Sequence, residues 1–338
     1  MEEDVRSEKH IVKKAIFSTE IRKKVQKLQK RNNWYNFFAI SYDWLIIAGG
    51  IYLAKAYPSW WMYLISLCLI GSRMRAFDNL MHEASHILLF ENRNLNKWMA
   101  CFFVAFPVFT SYTTYCKSHY MHHKHLWDPE QDPDTKRYAL IGLDKPQDSI
   151  KQFLIRHIFK PLTLTHVPKY IYGTIRVNIL SKEEPWSEKL AKSIYWLTII
   201  ASSISFGFWK ELLLFWFVPL LTTFQIFRYW AEMAEHSGLK TDNELYASRN
   251  TFGNPLERFL IHPHHDNFHL VHHLFPAVPH YNLKKAHMLL MEDEEYRKAH
   301  HCTGFFKSFV PGFFSAIEDI CGRHFGRNSR NSRNKRIE

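Results

Sequence analysis

Three groups of histidines recur in the chain at spacings that suit metal binding: His82-Glu83-Ala84-Ser85-His86, His119-Tyr120-Met121-His122-His123 and His269-Leu270-Val271-His272-His273. On a helix, residues four apart stand one turn above each other, so an i, i+4 pair can offer two imidazoles to one ion. The two HxxHH groups add a third imidazole at i+3. A further stripe runs Gln225, Tyr229, Glu232, His236, with Glu232 and His236 again four apart. One HxxxH alone is weak, because a stray histidine is more often a hydrogen-bonded core or surface residue. Nine such histidines in four places (His82, His86, His119, His122, His123, His236, His269, His272 and His273) exceed what one ion uses, since zinc takes about four ligands. Two ions of moderate coordination number would use them. Imidazole suits iron, copper, zinc and nickel alike, so the ligand type does not choose the metal.

The first group also reads as HExxH, the zinc metalloprotease signature, with Glu83 as general base. That reading needs one more ligand and leaves both HxxHH groups without a task.

To share a site, the groups must be carried to one place by the elements around them. Phe37–Ala54 and Trp60–Phe77 are apolar and near bilayer-spanning length, joined by a short turn containing Pro58. Ile194–Phe208 and Leu212–Phe227 form a second such pair, turning at Trp209, Lys210 and Glu211. Trp98–Cys116 is long enough to span, but Pro107 interrupts it. A crossing there would also put the first and second histidine groups on opposite membrane faces. It is therefore expected to lie in the interface or to dip in and return. The expected fold is all-α and integral to the membrane, with four transmembrane helices in two hairpins, this interfacial helix, and a cytoplasmic helical cap carrying the histidines.

Composition supports that picture. Apolar residues make up 46% of the 338 residues, but they collect in a few blocks, so the mean hydropathy of −0.28 averages two kinds of segment. The net charge of +12 concentrates at Arg6–Arg31 and Arg323–Arg336, flanking the apolar blocks. Such flanking Lys and Arg mark the cytoplasmic side of a membrane protein and favour anionic headgroups, so no nucleic-acid partner is expected. The polar, charged first thirty-three residues argue against a cleavable signal peptide. Five cysteines without a CxxC argue against a disulfide framework. Residues 1–33 are expected to be a basic cytoplasmic segment, 34–320 the membrane catalytic domain, and 321–338 a basic disordered tail. Both termini and the histidine groups are expected on the cytoplasmic side, in a bacterial inner membrane rather than the endoplasmic reticulum.

HxxxH, HxxHH and a C-terminal HxxHH, in this order and at these places relative to the spans, resemble the membrane fatty acid desaturase superfamily, which also contains hydroxylases, ketolases and other oxygenases. The wider strings are similar too: His119–His123 leads to Asp132-Pro133-Asp134, and His272-His273-Leu274-Phe275-Pro276 leads to Val278-Pro279. The likeness covers about residues 35 to 300. It implies a non-haem centre of two iron ions held by the nine histidines, with dioxygen as co-substrate and His236 as the ligand after the last span. Glu232 matches a weaker position of some relatives, where a carboxylate could hydrogen-bond an iron-bound water or orient an imidazole; pairing with Arg228 is the alternative. The third group sometimes begins with Gln in the family; here it begins with His269, with His265 as a competitor. His262, His264, His280 and His287 are expected in supporting roles. Arg73, Arg75 and Asp78 near the end of the second span could steady the first group, meet a polar substrate head, or form an intramembrane salt bridge.

The implied activity is oxidation of a lipid, most simply desaturation of a fatty acyl chain. The alternative within the same fold is a hydroxylase or other oxygenase acting on a lipid or a specialised metabolite; the zinc protease is a remote third. Glu232 and Asp78 are the candidate catalytic carboxylates. Such chemistry needs two external electrons. The chain has no HPGG-type haem site (His262-Pro263-His264-His265 is not one), no iron–sulfur cysteine set and no dinucleotide fingerprint. A separate ferredoxin or cytochrome b5 with its reductase is expected as electron donor, suited to the basic cytoplasmic surface.

Overall fold

The computed structural model describes residues 12–145, 147 and 149–322. Most of the proposed C-terminal tail and the first eleven residues lie outside that set. The described chain is mostly helical, as expected, with one short parallel strand pair added.

Helix α1 (Thr19–Gln26) starts at Ser18, whose side chain accepts the Ile21 amide, and buries Ile21 and Val25. The basic N-terminal segment is thus partly docked. Helix α2 (Asn33–Ala56) is capped by Asn32, which accepts from Trp34 and Tyr35, satisfying amides that would otherwise be orphaned. Helix α3 (Trp60–Ser85) runs well past the apolar stretch and ends at His86. Its two halves differ. Trp60, Trp61, Leu64 and Ile65 face outward, whereas from Ile70 to Ala84 only Asp78 and His82 are not fully buried.

Helix α4 (Arg93–Val108) contains a wide i→i+5 turn at Cys101–Ala105, and the chain then bends by 92° into α5 (Tyr112–Lys124). Helix α6 (Pro133–Ile141), α7 (150–162) and α8 (167–179) follow. Helix α9 (Trp186–Ser205) turns outward Ile194, Leu197, Ile200 and Ile204. Helix α10 (Trp209–His236) is kinked at Thr222, just beyond Pro219, where the missing proline amide weakens the helix ladder. Strand β1 (Arg249–Thr251), α11 (Pro255–Leu260), α12 (His269–Leu274), α13 (His280–Leu290) and strand β2 (His300–Cys302) complete the cap, with β1 parallel to β2.

Among the described residues, α2 and α10 are long and apolar enough to cross a bilayer, and the bent α4–α5 pair would make a third if it counts as one span. Of the other two expected spans, Trp60–Phe77 falls inside α3, and Ile194–Phe208 lies on α9 as far as Ser205. Each carries charge within its helix: Arg73, Arg75 and Asp78 in α3, and Glu188, Lys189 and Lys192 in α9.

Helices α3 and α10 approach closely at Gly71. A Cβ there would lie 2.2 Å from Thr223 Oγ1 and 2.7 Å from the Phe224 amide. Deeper in, the buried pair Arg73–Asp43 (3.0 Å) ties α3 to α2, and His264 Nε2 reaches the same carboxylate at 2.7 Å. Of the readings open for Arg73, the salt bridge is the one observed.

Candidate metal centre

The inner end of α3 brings His82 and His86, α5 brings His119, His122 and His123, α10 brings His236, and α12 brings His269, His272 and His273. All nine meet. Their nitrogens fall into two sets, each with its atoms within 4.8 Å of one another: His82, His86, His119, His123 and His272 in one, and His122, His236, His269 and His273 in the other.

The partition follows helix geometry. In both HxxHH groups the i and i+4 histidines enter one set and the i+3 histidine enters the other. At 100° per residue, i+4 lies 40° to one side of i and i+3 lies 60° to the other. Each HxxHH helix therefore straddles both sets, rather than presenting all three rings to one ion.

Within the four-histidine set, Nε2 atoms contact in series: His122 to His236 at 3.2 Å, His236 to His269 at 2.8 Å, and His269 to His273 at 3.1 Å. Two of these rings have tautomers fixed from behind. His236 donates its Nδ1–H to the Ala247 carbonyl at 2.8 Å. His122 Nδ1 lies 3.0 Å from Asp132 Oδ1, and that carboxylate also accepts the Trp127 and Asp134 amides and the Thr135 hydroxyl. A carboxylate with that many donors is an acceptor, so His122 Nδ1 is the donor. With Nδ1–H committed behind it, His236 presents its Nε2 lone pair to the centre, and His122, once it has lost its second proton, presents its own to the same place, where a cation would satisfy both. Metal-bound imidazoles characteristically hold their other N–H in this way.

The five-histidine set repeats the pattern: His86 Nε2 is 2.9 Å from His119, His119 is 3.0 Å from His123, and His123 is 2.9 Å from His272. His82 Nε2 and His272 Nδ1 are buried without a hydrogen-bond partner. Burial, helped by neighbouring imidazoles, holds His119, His123, His269, His272 and His273 well below the usual histidine range. They are neutral at physiological pH, as ligands must be. Neutral imidazole nitrogens converging at two places fit a metal, and imidazole is a donor iron accepts.

Of the remaining histidines, His264 is held by Asp43, His280 by Asn36 and His287 by Tyr296, each in a hydrogen bond of 2.7 to 2.9 Å. His265 is in neither set. Glu83, the general base of the HExxH reading, accepts the His280 amide at 2.9 Å. Glu232 does not reach the nitrogens either. Its carboxylate pairs with Arg137 (2.9 Å) and Arg228 (3.0 Å) and accepts from Tyr170 (2.9 Å). Asp78 lies 3.7 Å from Arg228.

Sequence reasoning passed over three residues beside the sets. Asp132 was visible only as part of a longer string. Glu235 and Asp266 lie with His269 in a third cluster, and Arg75 holds them at 3.4 and 2.7 Å. Glu235 directly precedes His236, and an acid adjacent to a candidate ligand is the signal that could have found it. A cavity of about 1240 Å³ runs up to His82, His119, His122 and His269.

Comparison with known proteins agrees with the geometry. The profile of the family described as fatty acid desaturase matches residues 58–304. The chain is also similar to the dihydrorhizobitoxine desaturase of Bradyrhizobium elkanii, with 36% identity over 295 residues, covering 83% of this chain and 82% of that one. With all of its histidine groups inside or beside the matched region and gathered at one place, the chain belongs to the fatty acid desaturase family.

Proposed function

We propose that the protein is a membrane-bound, dioxygen-dependent desaturase whose nine histidines hold two iron ions, five imidazoles around one and four around the other. Membership of the family makes it an oxidoreductase of the desaturase and oxygenase type. The observation that carries the finer reading is the convergence of Nε2 atoms at 2.8 to 3.2 Å. When bound, two ferrous ions would supply the electrons and Lewis acidity that let dioxygen remove hydrogen from an unactivated carbon. The protein's own groups do the rest. Asp132 and the Ala247 carbonyl fix the tautomers of His122 and His236. Arg75 holds Glu235 and Asp266 beside His269, where the charge of Asp266 would offset that of cations bound by neutral ligands. Glu232 and Asp78 act on the cavity side, tethering the guanidinium of Arg228.

The same reading takes four spans, with those in α3 and α9 completing the two hairpins, and puts both termini and the histidines on the cytoplasmic face. Its support is that His86 precedes the bent α4–α5 pair and His119 ends it, yet their Nε2 atoms are 2.9 Å apart. Ends that return to one cluster support a segment that dips in and comes back. Electrons come from a separate carrier, a ferredoxin or cytochrome b5 with its reductase.

The test is the mass of the product formed by the iron-loaded protein with reductant and air. Loss of two hydrogens supports desaturation. Gain of one oxygen assigns the protein to the hydroxylases instead, and turnover that persists without dioxygen overturns the reading.

A further inference from the structure

The cavity beside the histidines is lined by an unusual set of groups for an acyl-chain site. Six cations and five carboxylates face it, and its apolar part is made of Leu140, Ile141, Val177, two prolines and the rings of Tyr115, Tyr170, Tyr172 and Tyr229 rather than of a continuous aliphatic wall. A methylene gains about 0.8 kcal/mol on leaving water only where the surroundings are apolar. Packing a long chain against charged groups also removes their water, which costs free energy.

The charges are arranged in two zones. Those nearest the histidines satisfy one another: Arg75 pairs with Asp266 at 2.7 Å, and Glu232 with Arg137 at 2.9 Å and Arg228 at 3.0 Å. Further out on α7 and α8, Arg156, Lys160 and Lys169 also line the cavity, and among the described residues none of the three has an ion-pair partner within 4.0 Å. The cavity thus has a neutralised floor and a cationic mouth.

Its location points the same way. No lining residue comes from α2 or α9, nor from the outer halves of α3 and α10, the segments that turn large apolar side chains outward. The walls are the inner end of α3, α5 to α8 and the inner end of α10, so the cavity opens among elements on the histidine side rather than between the spans.

We propose that this cavity takes a hydrophilic substrate bearing a carboxylate, drawn from water, with the carboxylate at Arg156, Lys160 and Lys169 and a short hydrocarbon segment presented to the histidines. This replaces the long acyl chain expected from the family resemblance, and it rests on the desaturase reading for the chemistry performed there.

Binding of a homologous series, butanoate to decanoate, to the full protein in lipid nanodiscs tests it by calorimetry, without need of turnover. Affinity is expected to level off by hexanoate and to fall at least about tenfold when Arg156, Lys160 and Lys169 are all changed to Gln; hexanol should bind far more weakly than hexanoate. An affinity that keeps rising about fourfold per methylene through decanoate, as an apolar tunnel gives, overturns the proposal. So does hexanoate binding that is indifferent to the triple change. If that variant fails to fold, the chain-length series and the hexanol comparison on the unaltered protein still decide. Iron content and product mass test the desaturase reading separately: hexanoate binding to a protein that holds no iron would leave this proposal standing and sink that one.

Discussion

The two histidine sets sit side by side but in different surroundings. His122, His236, His269 and His273 are all buried, whereas in the other set only His272 is, and His82, His86, His119 and His123 are partly exposed. The buried set is braced from behind by Asp132 and the Ala247 carbonyl. The more open set has no comparable brace on His272, whose Nδ1 has no partner. One half of the centre is therefore more deeply buried and better braced than the other, while the cavity reaches histidines of both.

The largest effect is expected from removing a ligand of the open set. His272→Ala should reduce turnover to background and lower bound iron while leaving membrane insertion intact, as read by product analysis and metal content; wild-type activity would break the assignment of the sets. Next comes the brace. Asp132→Asn keeps an acceptor but removes the charge, and should cost about ten- to a hundredfold in metal affinity or activity, with the loss confined to the buried set in a metal titration. Equal loss from both sets would erase the distinction. A smaller effect is expected at the helix crossing that holds the sets together. Gly71→Ala puts a Cβ against Thr223 and the Phe224 amide, and should destabilise by about 1–3 kcal/mol through overpacking, measured as a lower Tm in detergent with both sets loosened together.

The smallest effect is in protons. Burial alone would lower His122, but Asp134 and the Asp132 hydrogen bond outweigh it and raise it above the usual histidine range. A raised imidazole must shed its proton before binding metal, so affinity at the buried set should rise with pH through that range. The open set, with His119, His123 and His272 already neutral, should bind without proton release near pH 7. Calorimetry in buffers of different ionisation enthalpy measures this; release of more than about one proton, or release from the open set, would contradict it.

Much of the site is legible in the sequence because imidazole is rare enough that nine at helical spacing stand out. All nine expected histidines meet. Their division between two sets is harder to read, since HxxHH looks like one face until the 100° step sends i+3 to the opposite side of i from i+4. The resemblance covers the family, now matched over residues 58–304. Asp132 and Ala247 are less legible. Asp132 is ten residues beyond its histidine, and a carbonyl carries no side-chain signal. Glu232 shows the limit of stripe reasoning: its position on α10 aims it toward the centre, but Arg137 and Tyr170 arrive from distant segments and hold it. In the fold, α2 and α10 are evident from hydropathy. The strand pair of the cap is not, because three residues of Arg249–Thr251 and three of His300–Cys302 carry too little pattern.

Metal analysis of the purified protein, combined with Mössbauer spectroscopy, reaches the centre itself. Two irons per chain in two inequivalent sites, coupled to each other, is the result expected from five and four imidazoles in unlike surroundings. A single zinc, or iron in one mononuclear site, would contradict it.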